Sequence, residues 1–326
     1  MILAPLRGVT IRAFRETFAD VIVAAGFDEA ITPFISAMPG VEPMKDRELA
    51  KSSNRRVAES SDFRVTPQFI GKDPVALRHC LESVKAAGYD TADLNCGCPF
   101  PMVRNKGRGS GLLRTPDVLR RMLEVGCETM GAGRFSVKAR LGVDRNDELL
   151  DLMPMINEFP LRFLTVHARN ARQMYAGVVD AGSLEAVLKV AKVPIVVNGD
   201  IPFPPPPNLP NLPNLPNLPN LPNLPNLPNL PNLSNLSNFP TIPLMIGRGF
   251  IRYLGMRDDC GGLLLRYLAA SQAELSGDRP VLGRLKELIA YWKDLPQWKR
   301  RWNVIKTCRS VDELRGCLPS AAGILV

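Results

Sequence analysis

Apolar residues along the chain fall into short runs, separated by longer stretches with a helical period. Eight runs read as strands: residues 2–5, 30–35, 64–70, 91–95, 135–140, 163–167, 194–198 and 243–247. They are rich in β-branched residues and apolar at successive positions, the pattern of strands covered on both faces. Helical patterns separate most of them. Asp73-Pro74 opens one, with Asp73 at the N-cap and Pro74 at the first helical position. Thr115-Pro116-Asp117 opens another, with Val118, Leu119, Met122 and Leu123 on one face. Ser183 is expected to cap a third over residues 184–190. Eight buried strands alternating with helices predict an α/β fold, a (β/α)8 TIM barrel. From about Ile251 the pattern is wholly helical and basic, through Arg266, Lys286, Lys293, Lys299, Arg300 and Arg301. The expected division is a barrel over residues 1–250 and a small C-terminal helical domain over 251–326.

Residues 202–243 interrupt the alternation. Pro204 to Pro207 lead into a strict Pro-Asn-Leu repeat, which decays into Ser234-Asn235-Leu236 and Ser237-Asn238-Phe239. Proline at every third position removes backbone donors and excludes both helix and central strand. Extended polyproline II or disorder remains. In polyproline II the leucines share one edge, which the barrel or a partner could cover; a tolerated repeat expansion is the plainer reading. The seventh barrel helix is expected to be replaced by this insertion.

Composition narrows the setting. Lys plus Arg (41) less Asp plus Glu (32) leaves +9, a balance that suits a polyanion such as nucleic acid, although a basic enzyme would show it too. Met1-Ile2-Leu3-Ala4-Pro5 is too soon broken to be a secretory core, and no run reaches the roughly 18 apolar residues of a membrane span. With seven cysteines and no such signal, a cytoplasmic location is expected.

The candidate chemistry sits at the ends of the strand-like runs, where barrels place their sites. Gly247-Arg248-Gly249 could let backbone N–H groups and a guanidinium meet a phosphate, or could be a plain turn. Asn198-Gly199-Asp200 is a turn signal at the end of the seventh run. Lys138 needs an anionic or strongly accepting partner if buried, such as the N1–C2=O edge of a reduced flavin; a salt bridge at the rim is the alternative. His167 could donate to a phosphate or ring, or be a satisfied structural histidine. Gln68 could meet the edge of a planar heterocycle through both amide ends. Cys96 and Cys98 have no second ligand pair at zinc spacing, so no metal is expected. Cys98, before Pro99 in a loop over the strand ends, can serve as a proton donor. The other five cysteines read as packing residues.

Taken in order, these residues resemble the tRNA-dihydrouridine synthases, FMN-dependent enzymes that reduce uridine in tRNA. The resemblance runs through Ala4-Pro5, Gln68-Phe69-Ile70-Gly71, Asp93-Leu94-Asn95-Cys96-Gly97-Cys98-Pro99, Gly107-Arg108-Gly109-Ser110-Gly111-Leu112-Leu113, Ser136-Val137-Lys138-Ala139-Arg140-Leu141-Gly142, His167-Ala168-Arg169, Gln173-Met174-Tyr175, Asn198-Gly199-Asp200 and Ile246-Gly247-Arg248-Gly249. It implies FMN on the C-terminal face of the barrel, with Pro5, Leu6, Arg7 and Gln68 at the flavin and Lys138 at its pyrimidine side. It implies that His167, Asn198, Gly199, Asp200, Gly247 and Arg248 hold the ribityl chain and phosphate. Asn95, Arg140 and Arg169 would contact the substrate, and Cys98 would be the general acid. NADPH is the implied reductant and tRNA the implied partner, gripped by the helical tail, with no membrane and a monomeric state expected. Arg7 stands where the family usually has a small or acidic residue. An FMN barrel acting on a free pyrimidine, and a non-catalytic RNA-binding relative, are the competing readings.

Overall fold

The computed structural model describes residues 1–49, 63–204 and 242–319. One sheet of ten parallel strands runs through it: β1 (Ile2–Leu3), β2 (Glu29–Ile31), β3 (Ile35–Ala37), β4 (Arg64–Thr66), β5 (Gln68–Gly71), β6 (Ala92–Cys96), β7 (Phe135–Gly142), β8 (Leu164–Asn170), β9 (Ile195–Asn198) and β10 (Leu244–Ile246). The excess over the eight expected strands comes from two prolines. Pro33 lies between β2 and β3, and Pro67 between β4 and β5. Proline gives the ladder no N–H, so regular pairing lapses there and then resumes. β2 pairs with β4, and β3 with β5, so the four segments are two strands lying side by side. The gap is bridged where Thr32 N donates to Thr66 O at 3.0 Å and Gln68 N donates to Thr32 Oγ1 at 3.0 Å. β1 pairs with β10 on one side and β2 on the other, which closes the eight-stranded ring. The barrel expectation holds.

Helices follow most strands: Arg12–Thr17 and Ala19–Ala24, Pro74–Ala86, Pro116–Met130, Glu148–Ile156, Ala181–Val190 and Arg248–Met256. Asp73 caps Pro74–Ala86 as expected, accepting from Val75 N at 2.9 Å and Ala76 N at 3.3 Å. The cap of Ala181–Val190 differs from expectation. Asp180 is the N-cap, accepting from Ser183 N at 2.9 Å, and Ser183 lies inside the first turn, donating its hydroxyl to Asp180 Oδ2. A carboxylate three residues before a free amide meets the capping geometry, so it displaces the hydroxyl from that role. Between β9 and β10, residues 199–204 and 242–243 are not helical; the Pro-Asn-Leu tract itself lies outside the described residues. Phe203, 2% exposed, packs on Phe27, Phe250 and Tyr253, which ties the chain leaving β9 to the helix after β10.

The tail continues through Cys260–Glu274, Asp278–Ile289, Pro296–Ile305 and Val311–Cys317. Tyr267 packs against Phe14 and Phe18, and Trp292 and Trp298 donate their indole N–H groups to Ile251 O and Gly255 O at 2.6 and 2.8 Å. The two indoles are buried with their one polar atom satisfied, which makes this a durable contact. Among the described residues no helix is long and apolar enough to cross a membrane. At the far end of the barrel, buried Glu29 accepts from Arg162 at 2.7 Å through each carboxylate oxygen and from Thr66 Oγ1 at 2.5 Å. Polar groups at that face serve stability, and the chemistry belongs to the other.

Candidate active site

The carboxyl ends of the strands surround one cleft. Its lining includes Pro5, Leu6 and Arg7 after β1, Gln68 on β5, Asn95 and Cys98 from β6 and its loop, and Lys138 and Arg140 on β7. His167 on β8, Asn198, Gly199 and Asp200 after β9, and Gly247 and Arg248 after β10 complete it. Strand register sets their heights: Asn95 lies opposite Lys138, Arg140 opposite His167, and His167 opposite Asn198. Residues more than 240 positions apart in sequence thus share one rim.

Arg169 is the exception among the expected site residues. It lines a neighbouring groove with Tyr175, Arg248, Arg252, Tyr291 and Lys293. Its guanidinium donates to Ala176 O at 3.1 Å and Gly177 O at 2.6 Å and pairs with Asp200. It holds the loop after β8 in place. Asp200, in the left-handed region at φ 46, also pairs with Arg248, so one carboxylate joins the ends of β8, β9 and β10.

The loop carrying Cys98 is clamped from two sides. Asn95 Oδ1 accepts from Gly97 N at 3.1 Å and Cys98 N at 2.8 Å. Arg140 Nε donates to Gly97 O at 2.8 Å, and Ser110 Oγ donates to Cys98 O at 2.9 Å. Cys98 is 7% exposed, and burial raises its thiol pKa, against the opposing pull of the Phe100 amide, Arg140 and Arg7. The thiol therefore keeps its proton at neutral pH. Cys96 points the other way, into the apolar layer formed by Leu113, Leu119 and Leu123.

Positive charge dominates the cleft. Burial pulls the Lys138 ammonium down to about 8, with Arg140 adding repulsion and Asp93 opposing both. Arg140 is lowered to about 10, first by burial. His167 is driven well below its usual range by burial and by Arg140, Lys138, Arg169 and Arg248, so it is neutral at physiological pH. Its Nε2 lies 3.4 Å from Arg169 Nη1; a guanidinium only donates, which leaves Nε2 as the acceptor. Ala4 and Leu6 form the wall beside Gly247, Pro5 lines the cleft next to them, and the exposed Arg7 guanidinium sits 5.5 Å from the Phe34 ring.

Two participants escaped the sequence reading. Tyr175, 44% exposed, has the guanidinium carbons of Arg140 and Arg248 each 5.4 Å from its ring. Its motif was visible in the sequence, but nothing there placed its ring at the mouth. Asp93 is fully buried behind Gln68, accepting from Gln68 Nε2 at 2.8 Å and Ser136 Oγ at 2.6 Å. It heads a motif that carries the family resemblance, and it is an acidic residue inside an apolar strand run, but neither signal gave it a role. Among the described residues no group of His, Cys, Asp and Glu is arranged to hold a metal ion.

Among solved structures, morphinone reductase covers 77% of this chain and 82% of its own at TM-score 0.50 and 10% identity. A variant of NCR from Zymomonas mobilis covers the same shares at TM-score 0.50 and 13% identity. These likenesses concern the fold alone. By sequence, tRNA-dihydrouridine synthase B of Vibrio cholerae is 31% identical over 205 residues, 63% of this chain and 61% of the relative. A probable tRNA-dihydrouridine synthase of Helicobacter pylori is 29% identical over 203 residues, 62% of this chain and 59% of the relative. The match thus spans about three fifths of the length of these relatives. Residues 2–204, more than half of the chain, match the family described as Dihydrouridine synthase (Dus), and the chain belongs to that family.

Proposed function

We propose that the protein reduces uridine to 5,6-dihydrouridine in tRNA, with FMN as its flavin and NADPH as reductant. One observation carries the reading: a cationic cleft at the carboxyl ends of the strands, with a protonated thiol, Cys98, held at its edge. The lining suits an anionic, planar cofactor with a phosphate tail. Among the described residues Lys138 finds only the neutral Asn198 amide, at 3.0 Å, as a hydrogen-bond partner, and an anion in the cleft would stabilise its charge. At the proposed phosphate end, a Cβ on Gly247 would come within 3.1 Å of Ala4 Cβ, and Gly199 holds φ 126. Glycine at both places leaves the backbone open to close approach, with Arg248 beside it to pair with the phosphate.

FMN held by these residues, once reduced by NADPH, would supply hydride chemistry at C6 of the uracil. Cys98 holds a proton on Sγ and delivers it to C5. Asn95 and Arg140 line the cleft beside Cys98 and are the proposed uracil contacts; Arg169, through Asp200 and the loop after β8, supports that wall. A base in tRNA must leave its stack to enter such a cleft. The basic helical tail, proposed to act as a tRNA-binding domain over residues 251–326, would hold the phosphate backbone. Purified protein supplied with FMN, NADPH and tRNA lacking dihydrouridine, followed by nucleoside mass spectrometry, tests the reading. Dihydrouridine should accumulate in the tRNA. Reduction of free pyrimidine alone would identify a small-molecule oxidoreductase, and protein that binds RNA but no flavin a non-catalytic relative.

A further inference from the structure

Behind Cys98 runs a continuous line of buried side-chain hydrogen bonds. Ser136 Oγ donates to Asp93 Oδ1 at 2.6 Å, and Gln68 Nε2 donates to Asp93 Oδ2 at 2.8 Å. Asn95 Nδ2 then donates to Gln68 Oε1 at 2.8 Å, and Gly97 N and Cys98 N donate to Asn95 Oδ1 at 3.1 and 2.8 Å. Ser136, Asp93 and Gln68 are fully buried and Asn95 is nearly so.

The sense of every link is forced from both ends. An ionised carboxylate can only accept, so Gln68 must turn its NH2 toward Asp93 and its oxygen toward Asn95. Backbone N–H groups can only donate, so Asn95 must turn its oxygen toward the loop and its NH2 toward Gln68. The two requirements agree in the middle, at the Asn95–Gln68 bond. Asp93 is pushed up to about 6 by burial, against the Ser136 and Gln68 hydrogen bonds and Lys138, and so is ionised at neutral pH. We propose that Asp93 is a positioning residue: through Gln68 and Asn95 it orients the backbone amides of Gly97 and Cys98, and thereby sets where the Cys98 thiol stands. The inference rests on the reading of Cys98 as the proton donor. Arg140, on the Gly97 carbonyl, completes the clamp from the opposite side.

The acceptor, rather than the charge, is what the relay requires, and this separates two variants. Asp93→Ala removes the acceptor. Asp93→Asn keeps it, with Oδ1 toward Gln68 and NH2 toward the Ser136 hydroxyl. In the FMN-loaded full chain, Asp93→Ala should lose less in flavin reduction by NADPH than in the half-reaction with tRNA. Its tRNA-dependent oxidation should slow by roughly 10²-fold, the effect of a misplaced reacting group. Hydrogen exchange at the Gly97 and Cys98 amides should quicken roughly five- to tenfold, the weakening of about one hydrogen bond, as Asn95 Oδ1 loses the support that holds it to them. Asp93→Asn should recover most of both. Gln68→Met, which cuts the line at its middle without changing its length, should quicken exchange at the same two amides even if Asp93→Ala does not fold. Wild-type exchange at Gly97 and Cys98 in Asp93→Ala or Gln68→Met overturns the proposal, as does an Asp93→Asn that loses as much as Asp93→Ala. Should the wild-type chain form no dihydrouridine, the reading of function fails while the exchange measurements still decide the relay.

Discussion

Lys138 on β7 donates from Nζ to Asn198 Oδ1 on β9 across 3.0 Å, and Asn198 in turn donates from Nδ2 to Met245 O on β10 at 2.8 Å. This cation of the cleft therefore leans on a neutral amide that is itself held by the neighbouring strand. An amide offsets only part of the cost of burying an ammonium. Burial is accordingly the leading reason why Lys138 sits near 8 instead of the usual 10.5.

This predicts a pH dependence of FMN binding. Between about pH 8 and the ordinary lysine range, the folded cofactor-free protein has lost a proton that the unfolded chain retains. On account of this group, its stability rises with pH across that window. FMN binding runs the other way, because the anion needs the charged ammonium. Affinity should fall as pH rises above 8, by up to about tenfold per pH unit. Lys138→Met should weaken FMN at pH 7 and remove the dependence. Fluorescence titration between pH 7 and 9.5 measures both, and a slope that survives in Lys138→Met assigns the titration to another group.

The two cysteines of the loop should behave oppositely. Cys98→Ala should keep FMN and its reduction by NADPH, while oxidation by tRNA slows roughly 10²–10⁴-fold, the range for a lost general acid. Cys96 faces the strand–helix layer, so Cys96→Ala should keep full activity and lose about 1 kcal/mol of stability. Stopped-flow kinetics of the two half-reactions with thermal melts tests the pair. Equal activity losses would mean that the acid lies elsewhere.

Arg248 is placed by Asp200 and by the Tyr175 ring, so it is ordered before any ligand arrives. Arg248→Ala should weaken FMN by about 1.5–3 kcal/mol, the contribution of a charged hydrogen bond. Riboflavin, which lacks the phosphate, should bind both proteins equally. Isothermal titration with the two flavins distinguishes phosphate recognition from a general loosening of the cleft.

The Pro-Asn-Leu tract should be dispensable for flavin binding. Strand β10 is held by pairing of Leu244 with Val197 and Met245 with Asn198, by β1 on its other side, and by Phe203 packed on Phe250. None of these contacts uses the repeat. Replacing the repeat with a shorter Gly/Ser linker of sufficient span should leave the absorbance ratio of flavin to protein unchanged. Loss of bound flavin would mean that the tract contributes to the barrel.

The alternation of buried strands with capped helices is local chemistry, and it was legible: Asp73-Pro74 had to begin a helix, and the β-branched runs had to be covered on both faces. The rim residues were legible for a related reason, since a polar residue at the end of such a run has one face of the barrel to go to. Other features depended on what lies beside a residue. Pro33 and Pro67 divided two strands at matching heights, which only the pairing of those strands reveals. Asp180 displaced Ser183 as a cap because the helix begins at Ala181, which puts Ser183 in its first turn with its own amide and hydroxyl on the Asp180 carboxylate. Arg169, expected at the substrate, also holds Asp200 and two loop carbonyls in a groove beside the cleft. Tyr175 acquired its place from two guanidiniums that arrive from β7 and from the helix after β10. The line from Asp93 to Cys98 crosses between β5 and β6, so its donors and acceptors meet only once the strands are in register. Periodicity and capping act within a few residues and can be read along the chain; the partner of a buried polar group is decided by closure of the barrel, which brings distant residues within hydrogen-bond reach.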